Sequence, residues 1–305
     1  MKKILLFMTV ATMSLTVNAK ILRVNNNTGS SAPYSSFNDA LSAAEEGDTI
    51  MVDASPLNYG AITIKKRIVV IGPGYDLVTN GIIEEGVETA NFNGITIEAE
   101  GTVLSGVESS GTSTSPGGVT IKANKVVITR CWPNKITLRN ASNSVIHQNC
   151  INSGIEGYGS TYQESYIQIT NNIIKGRISD ISNGYIAYNT LSSGTACYHC
   201  QNCEIEYNWG TSEFKEYTGT GNHFANNYES RDYSSIFNKS IVNDGPIAAI
   251  DVDATLRGTY GAFAGDSPYI LSGVPAGPVV QDLIVPTTVE QGSKLQVTVK
   301  VGIQK

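Results

Sequence analysis

The 305 residues carry a formal net charge of -6, only 16% are charged, and the few Lys and Arg form no cluster, which excludes nucleic acid or an anionic membrane surface as the natural partner. Five cysteines, an odd number, exclude a fully paired internal disulfide framework. Thirty glycines and frequent asparagine suit a chain with many tight bends between buried strands.

Residues 1–19 have the build of a secretory signal. Lys2 and Lys3 lead an apolar run from Ile4 to Val17, and Val17-Asn18-Ala19 sets small residues at the cleavage point. No cysteine follows the run, so a lipid anchor is not expected. The run is too short to span a bilayer and no other stretch is long enough. The mature protein is expected to be exported, to the periplasm, the cell surface or the medium.

Residues 20–48 predict a strand at Ile21-Leu22-Arg23-Val24, a polar loop from Asn25 to Pro33, and a short helix capped by Ser35 or Ser36. Its apolar residues Phe37, Ala40, Leu41 and Ala44 fall at helical spacing, and Gly47 is expected to close it. A helix here would cover the open end and unpaired edges of whatever follows.

From Thr49 to residue 245 the chain reads as short strands separated by turns. Thr49-Ile50-Met51-Val52, Ala61-Ile62-Thr63-Ile64 and Ile68-Val69-Val70-Ile71 come first, with Pro56 to Gly60 and Gly72-Pro73-Gly74-Tyr75 as turns. The order of helix, Ala43-Ala44-Glu45-Glu46-Gly47-Asp48-Thr49-Ile50, a Tyr59-Gly60 turn, Ile62-Thr63-Ile64-Lys65-Lys66 and Ile71-Gly72-Pro73-Gly74-Tyr75 resembles the N-terminal coil of bacterial exported right-handed β-helix proteins of the pectate-lyase-like superfamily. The resemblance extends over most of the mature chain. It implies a fold and leaves function open, because that superfamily holds lyases, hydrolases, epimerases and adhesins.

Further strands follow at Gly94-Ile95-Thr96-Ile97, Thr102-Val103-Leu104, Gly118-Val119-Thr120-Ile121, Val126 to Thr129 and Lys135 to Leu138, with a Ser/Thr/Gly-rich loop from Ser105 to Gly118. Between Ser144 and Tyr228 one phrase recurs: an apolar residue, two variable residues, then asparagine. It places Asn149, Asn172, Asn189, Asn208 and Asn227 at steps of about 20 residues, and Cys131 holds the same place one coil earlier. Isoleucines stacked at that step form an apolar column. Asparagines form a hydrogen-bonded ladder at a bend, because Asn tolerates left-handed backbone angles. The fold class that follows is all-β, a single-stranded right-handed parallel β-helix.

Residues 246–265 include Asp251-Val252-Asp253-Ala254-Thr255-Leu256-Arg257 and a Gly261-Ala262-Phe263 phrase. They resemble a closing segment seen after exported β-helices, which implies a C-terminal cap; a calcium loop or acid pair at Asp251 and Asp253 is the alternative. Residues 266–305 predict a small β-hairpin tail.

A β-helix aligns outward side chains along a rod, which suits a linear polymer, so polysaccharide is the expected partner. Aromatic rings cover sugar C–H faces, and Tyr188 and Tyr207 are expected to stack on each other as a turn rung. The step from Asn149 to Asn172 is longer than the rest. The bulge it makes, with Tyr158, Tyr162, Glu164 and Tyr166, is the candidate ligand-binding region. Beside it, Arg139, His147, Lys175 and Arg177 are the candidate catalytic groups, since the resemblance implies a Lys or Arg base in lyases, with Ca2+ as cofactor in that case alone. None of the acidic clusters of pectin-degrading enzymes is present. Cys197, His199, Cys200 and Cys203 have the ligand types for zinc, against the alternative of buried free thiols or one disulfide. Two functions stay in view: an exported rod that binds polysaccharide without catalytic machinery, and a lyase cleaving a uronic-acid polymer by β-elimination. The first is the expectation.

Overall fold

The computed structural model describes residues 19–78, 85–86, 89–112, 115–159, 164–192, 196–229, 258–275, 277–284 and 298–304. The expected leader to residue 18, Tyr162, and the Asp251–Arg257 phrase lie outside them.

The chain is a parallel β-helix. Successive coils add strands to a ten-stranded and a seven-stranded sheet, and from Val145 to Tyr198 each coil also adds a short strand between them to a five-stranded sheet. One coil runs Val145–His147, Cys150–Ile151, Gly154–Gly157. Strands stack in register, so Ile128, Ile146, Ile169, Ile186 and Ile205 form one column of the ten-stranded sheet, and all five are fully buried. Alternation along each strand puts such residues inside and their neighbours outside, which is why short apolar-x-apolar phrases suffice to build the core.

The bend after the ten-stranded sheet is a two-residue device. The backbone of Arg130, Gln148, Asn171, Tyr188, Tyr207 and Asn226 is left-handed, with φ between 52° and 57°. The next residue is the ladder residue. Asn149 donates its N–H and its Nδ2 to Asn172 Oδ1, both at 2.9 Å. Asn172 does the same to Asn189, Asn189 to Asn208, and Asn208 to Asn227. Cys131 N–H donates to Asn149 Oδ1 at 2.9 Å and heads the column. The ladder asparagines therefore do not themselves take the left-handed angle expected from the sequence. They sit inside the barrel, where Nδ2 also reaches backbone carbonyls that the turn leaves unpaired, as in Asn149 to Ile128 O at 3.0 Å.

The helix spans Phe37–Ala43 and buries Phe37 and Ala40 against the first coils. It ends before Gly47. Lys66 Nζ terminates it by donating to the carbonyls of Leu41, Ser42 and Ala44 at 3.1, 3.0 and 2.7 Å. Gly47 instead turns the chain into the next strand with φ +91°.

Residues 258–275 run back along the side of the coils, in reverse order, over the left-handed turns. Gly261 N–H donates to Tyr207 O, Asn171 Nδ2 donates to Ala262 O and Ala264 O, Gln148 Nε2 to Pro268 O, and Arg130 Nη1 to Val274 O. Tyr75 N–H then donates to Ser272 O. This strap covers the outer face of the five-stranded sheet and makes a second core of Tyr75, Cys150, Ile173, Trp209, Ala262 and Tyr269. Tyr188 and Tyr207 stack at 5.1 Å with 7° between rings. Gly265 lies against the Tyr188 ring with φ +76°, where a β-carbon would come within 3.2 Å of that ring. Gly277–Ile284 and Thr298–Gln304 pair as an antiparallel hairpin.

Candidate functional site

The seven-stranded sheet presents a different surface. Register pairs Thr63 with Thr96, Thr96 with Thr120 and Thr120 with Thr137, so four half-exposed threonines form a straight column across four coils. Beside it the outward residues are Ala61, Gly94 and Gly118, then Lys135. Missing side chains there leave a groove of about 410 Å³, floored by backbone and lined by the threonines, Asn134 and Lys135.

The glycines in this groove have different causes. A β-carbon at Gly118 would meet Lys135 O at 2.7 Å, so close approach of the next coil requires glycine there. At Gly94 the nearest atom to an added β-carbon is Gly118 O at 4.0 Å. Neither backbone angle nor packing demands glycine at 94, and glycine weakens a strand. What it does is keep the groove open.

Past Lys135 the same face becomes charged and aromatic. Lys135 Nζ pairs with Glu156 at 2.5 Å. The Arg139 guanidinium lies 3.9 Å over the Tyr158 ring and that of Arg177 4.6 Å over the Tyr198 ring. His199 Nδ1 meets Asp180 Oδ1 at 2.6 Å.

The four expected catalytic groups do not converge. Arg177 is in register with Gly154 and hence Lys135, four residues before Arg139 and two coils away, which separates the two arginines by roughly 16 Å. His147 stands on the outer face of the ten-stranded sheet, with Nδ1 at 2.9 Å from Thr170 Oγ1 and Nε2 at 3.0 Å from Ser267 Oγ of the strap. Burial holds its imidazole below the usual pKa. Lys175 is half-exposed in the short turn after Ile173–Ile174, its N–H donating to Ile151 O.

Of the expected binding residues, Tyr158 and Tyr166 are exposed, at 63% and 59%. Tyr158 borders the seven-stranded sheet, whereas Tyr166 occupies a left-handed turn at φ 57°. Glu164 is 1% exposed and its Oε1 accepts the Asn140 N–H at 3.1 Å. That bond ties a turn down, and the side chain is covered where the expectation had it facing a ligand.

Cys197, Cys200 and Cys203 are free thiols buried in the barrel, while His199 is part-exposed and engaged with Asp180. Burial pushes the Cys197 thiol up; the hydrogen bond between Cys200 and Cys203 raises the first and lowers the second. Among the described residues no three His, Cys, Asp or Glu side chains are placed to hold a metal. Among them, too, no helix is long and apolar enough to cross a membrane.

The threonine column was present in the sequence as a recurring apolar-Thr-apolar phrase, Ile62-Thr63-Ile64, Ile95-Thr96-Ile97, Val119-Thr120-Ile121 and Ile136-Thr137-Leu138. Unequal spacing hid it, because loops of different length intervene.

No protein-family model and no curated protein matches the chain. Among solved structures it is similar to the pectin methylesterase from Aspergillus niger in deglycosylated form, at 13% identity and a TM-score of 0.40, over 77% of this chain and 94% of that one. A likeness at that level says nothing about what this chain binds.

Proposed function

We propose that the protein is an exported rod that binds a linear polysaccharide along the outer face of its seven-stranded sheet, without catalytic machinery of its own. One observation carries this: the groove at Ala61, Gly94 and Gly118 runs along the rod axis beside four aligned threonines, and Gly94 has no structural reason to be glycine. Thr hydroxyls donate to and accept from sugar hydroxyls, while their methyl groups pack on C–H faces. Adjacent coils repeat at about 4.8 Å, so the four threonines span roughly 14 Å of an extended chain. Lys135, Arg139 and Tyr158 at the C-terminal end favour a polymer that carries some negative charge. The dispersal of Arg139, His147, Lys175 and Arg177 supports binding over β-elimination, which needs a base and a carboxylate-neutralising group at one sugar.

The test is Gly94→Phe. It fills the groove with a residue that strands favour. Titration with a panel of neutral and uronic-acid polysaccharides is expected to give binding for the wild type and at least tenfold weaker binding for the variant, with melting unchanged. Equal binding by both would place the ligand elsewhere. Unsaturated products, read by absorbance, from any uronic-acid polymer would replace the binding reading with that of a lyase.

A further inference from the structure

Asp48 is the last residue before the strand Thr49–Val52 and is 2% exposed. Its two carboxylate oxygens face two backbone N–H groups. Oδ2 accepts Glu45 N–H at 2.8 Å and Oδ1 accepts Lys20 N–H at 2.7 Å. These N–H donors, Glu45 first, hold the carboxyl below its usual pKa, so it is ionised. Among the described residues no cation stands within salt-bridge distance of it; the Lys20 and Lys66 ammonium groups act on it from farther off, whereas a covered carboxylate ordinarily has a partner in contact. The group nearest to it is the nitrogen at which the expected leader would be cut.

Lys20 is held independently of that nitrogen. Its carbonyl accepts Thr49 N–H at 2.9 Å, Ile21 pairs with Thr49, and Lys20 Nζ reaches Glu45 Oε1 at 3.2 Å. Ala19 beside it is exposed. The last residue fixed by the coil therefore abuts the small residue that ends the leader.

We propose that hydrolysis of the Ala19–Lys20 bond creates a structural N-terminus, whose α-ammonium group ion-pairs with Asp48 and locks the first coil. A leader-removing peptidase supplies the catalysis and water the atoms. The C–N bond breaks, Ala19 leaves with a carboxylate on the leader, and Lys20 N gains protons to become the ammonium. The neutral N–H that now faces Asp48 becomes a cation at the same place, and the carboxylate gains its counter-charge. Removal of the leader is thereby coupled to closure of the first coil, next to the helix that caps the rod. This inference rests on the export reading and adds the bond and the consequence.

The experiment begins with the full chain expressed in an exporting host, followed by intact-mass measurement and N-terminal sequencing of the product. A start at Lys20 is expected. An exported product starting elsewhere overturns the inference and leaves export standing; an uncut chain retained in the cell overturns both. Chains starting at Lys20 and at Ala19 are then compared. The first is expected to melt about 2 °C higher, and Asp48→Asn to remove the difference. Because that variant alone could fail to fold, the wild-type termini are also acylated near neutral pH. The Lys20 α-amine is expected to react several-fold more slowly than the Ala19 α-amine, because the facing Asp48 carboxylate favours its protonated, unreactive form. Equal melting with equal rates would show that the amine is free in solution and that the pairing does not form.

Discussion

The outer faces of the five-stranded and seven-stranded sheets are built on the same stacked coils and have opposite fates. On the first, Cys150, Ile173, Thr190 and Trp209 stand in one register column, and the chain returns as a strap to cover them. On the second, Ala61, Gly94 and Gly118 point outward beside a column of threonines, and the surface stays open as a groove. Inside the barrel the two sheets are alike. The outward residue at each rung decides whether a face becomes a second core or an open groove, and a β-helix can make that decision face by face because its inner columns already secure the fold.

Substitutions that break the contrast should therefore differ sharply in cost. Trp209→Ala removes the largest side chain of the second core and is expected to lose about 3–5 kcal/mol in urea unfolding, with cleavage by added protease moving into residues 258–275. Thr120→Ala on the open face should cost less than about 0.5 kcal/mol. Asn189→Ala leaves buried donors and acceptors of two coils unpaired, an expected loss of about 3 kcal/mol by the same assay. Tyr75→Phe removes one partner of the Tyr269 hydroxyl, which lies 2.6 Å from that of Tyr75 and keeps its hydrogen bond with Cys150, at about 1 kcal/mol.

A smaller effect is read by pH. Burial lowers the folded pKa of His147 below its ordinary 6.5, so the unfolded chain binds the extra proton first. The contribution of neutral His147 is complete above pH 6.5 and is lost as pH falls through the lower, folded value. Melting measured from pH 7 to 5 should decline more for the wild type than for His147→Gln, and equal declines would mean that burial does not disfavour the charged ring. Smallest of all, Gly94→Phe should leave stability within about 0.5 kcal/mol while weakening binding at least tenfold.

The stack itself was legible in the sequence. Ile146, Ile169, Ile186 and Ile205 recur at a step that only a solenoid explains, and the asparagine three residues after each fixes the register. The helix position was readable too, although its end was not, because a distant lysine, Lys66, and not a local glycine satisfies its last carbonyls. Of the strap, the Gly261-Ala262-Phe263 phrase marked a closing segment, but its path back along the coils left almost no trace. It binds through its own backbone carbonyls, at Ala262, Ala264, Pro268 and Val274, to side chains of the turns, and backbone groups have no sequence signature. The proposed groove was hard to read for a related reason. An irregular coil draws the eye to Glu164 and His147, which hold a turn and a strap, whereas the groove is made of glycine and alanine, residues that mark it by what they lack.

Hydroxyl-radical footprinting of the wild-type protein with and without the polysaccharide that binds best in titration tests the central claim most directly. Protection is predicted along the seven-stranded face, at the peptides holding Ala61–Ile64, Gly94–Ile97, Val119–Ile121 and Lys135–Leu138, with labelling of the strap at 258–275 unchanged. Protection confined to the strap, or to Tyr166 on its turn and Tyr185 on the ten-stranded sheet, with the groove peptides labelled as before, would contradict it.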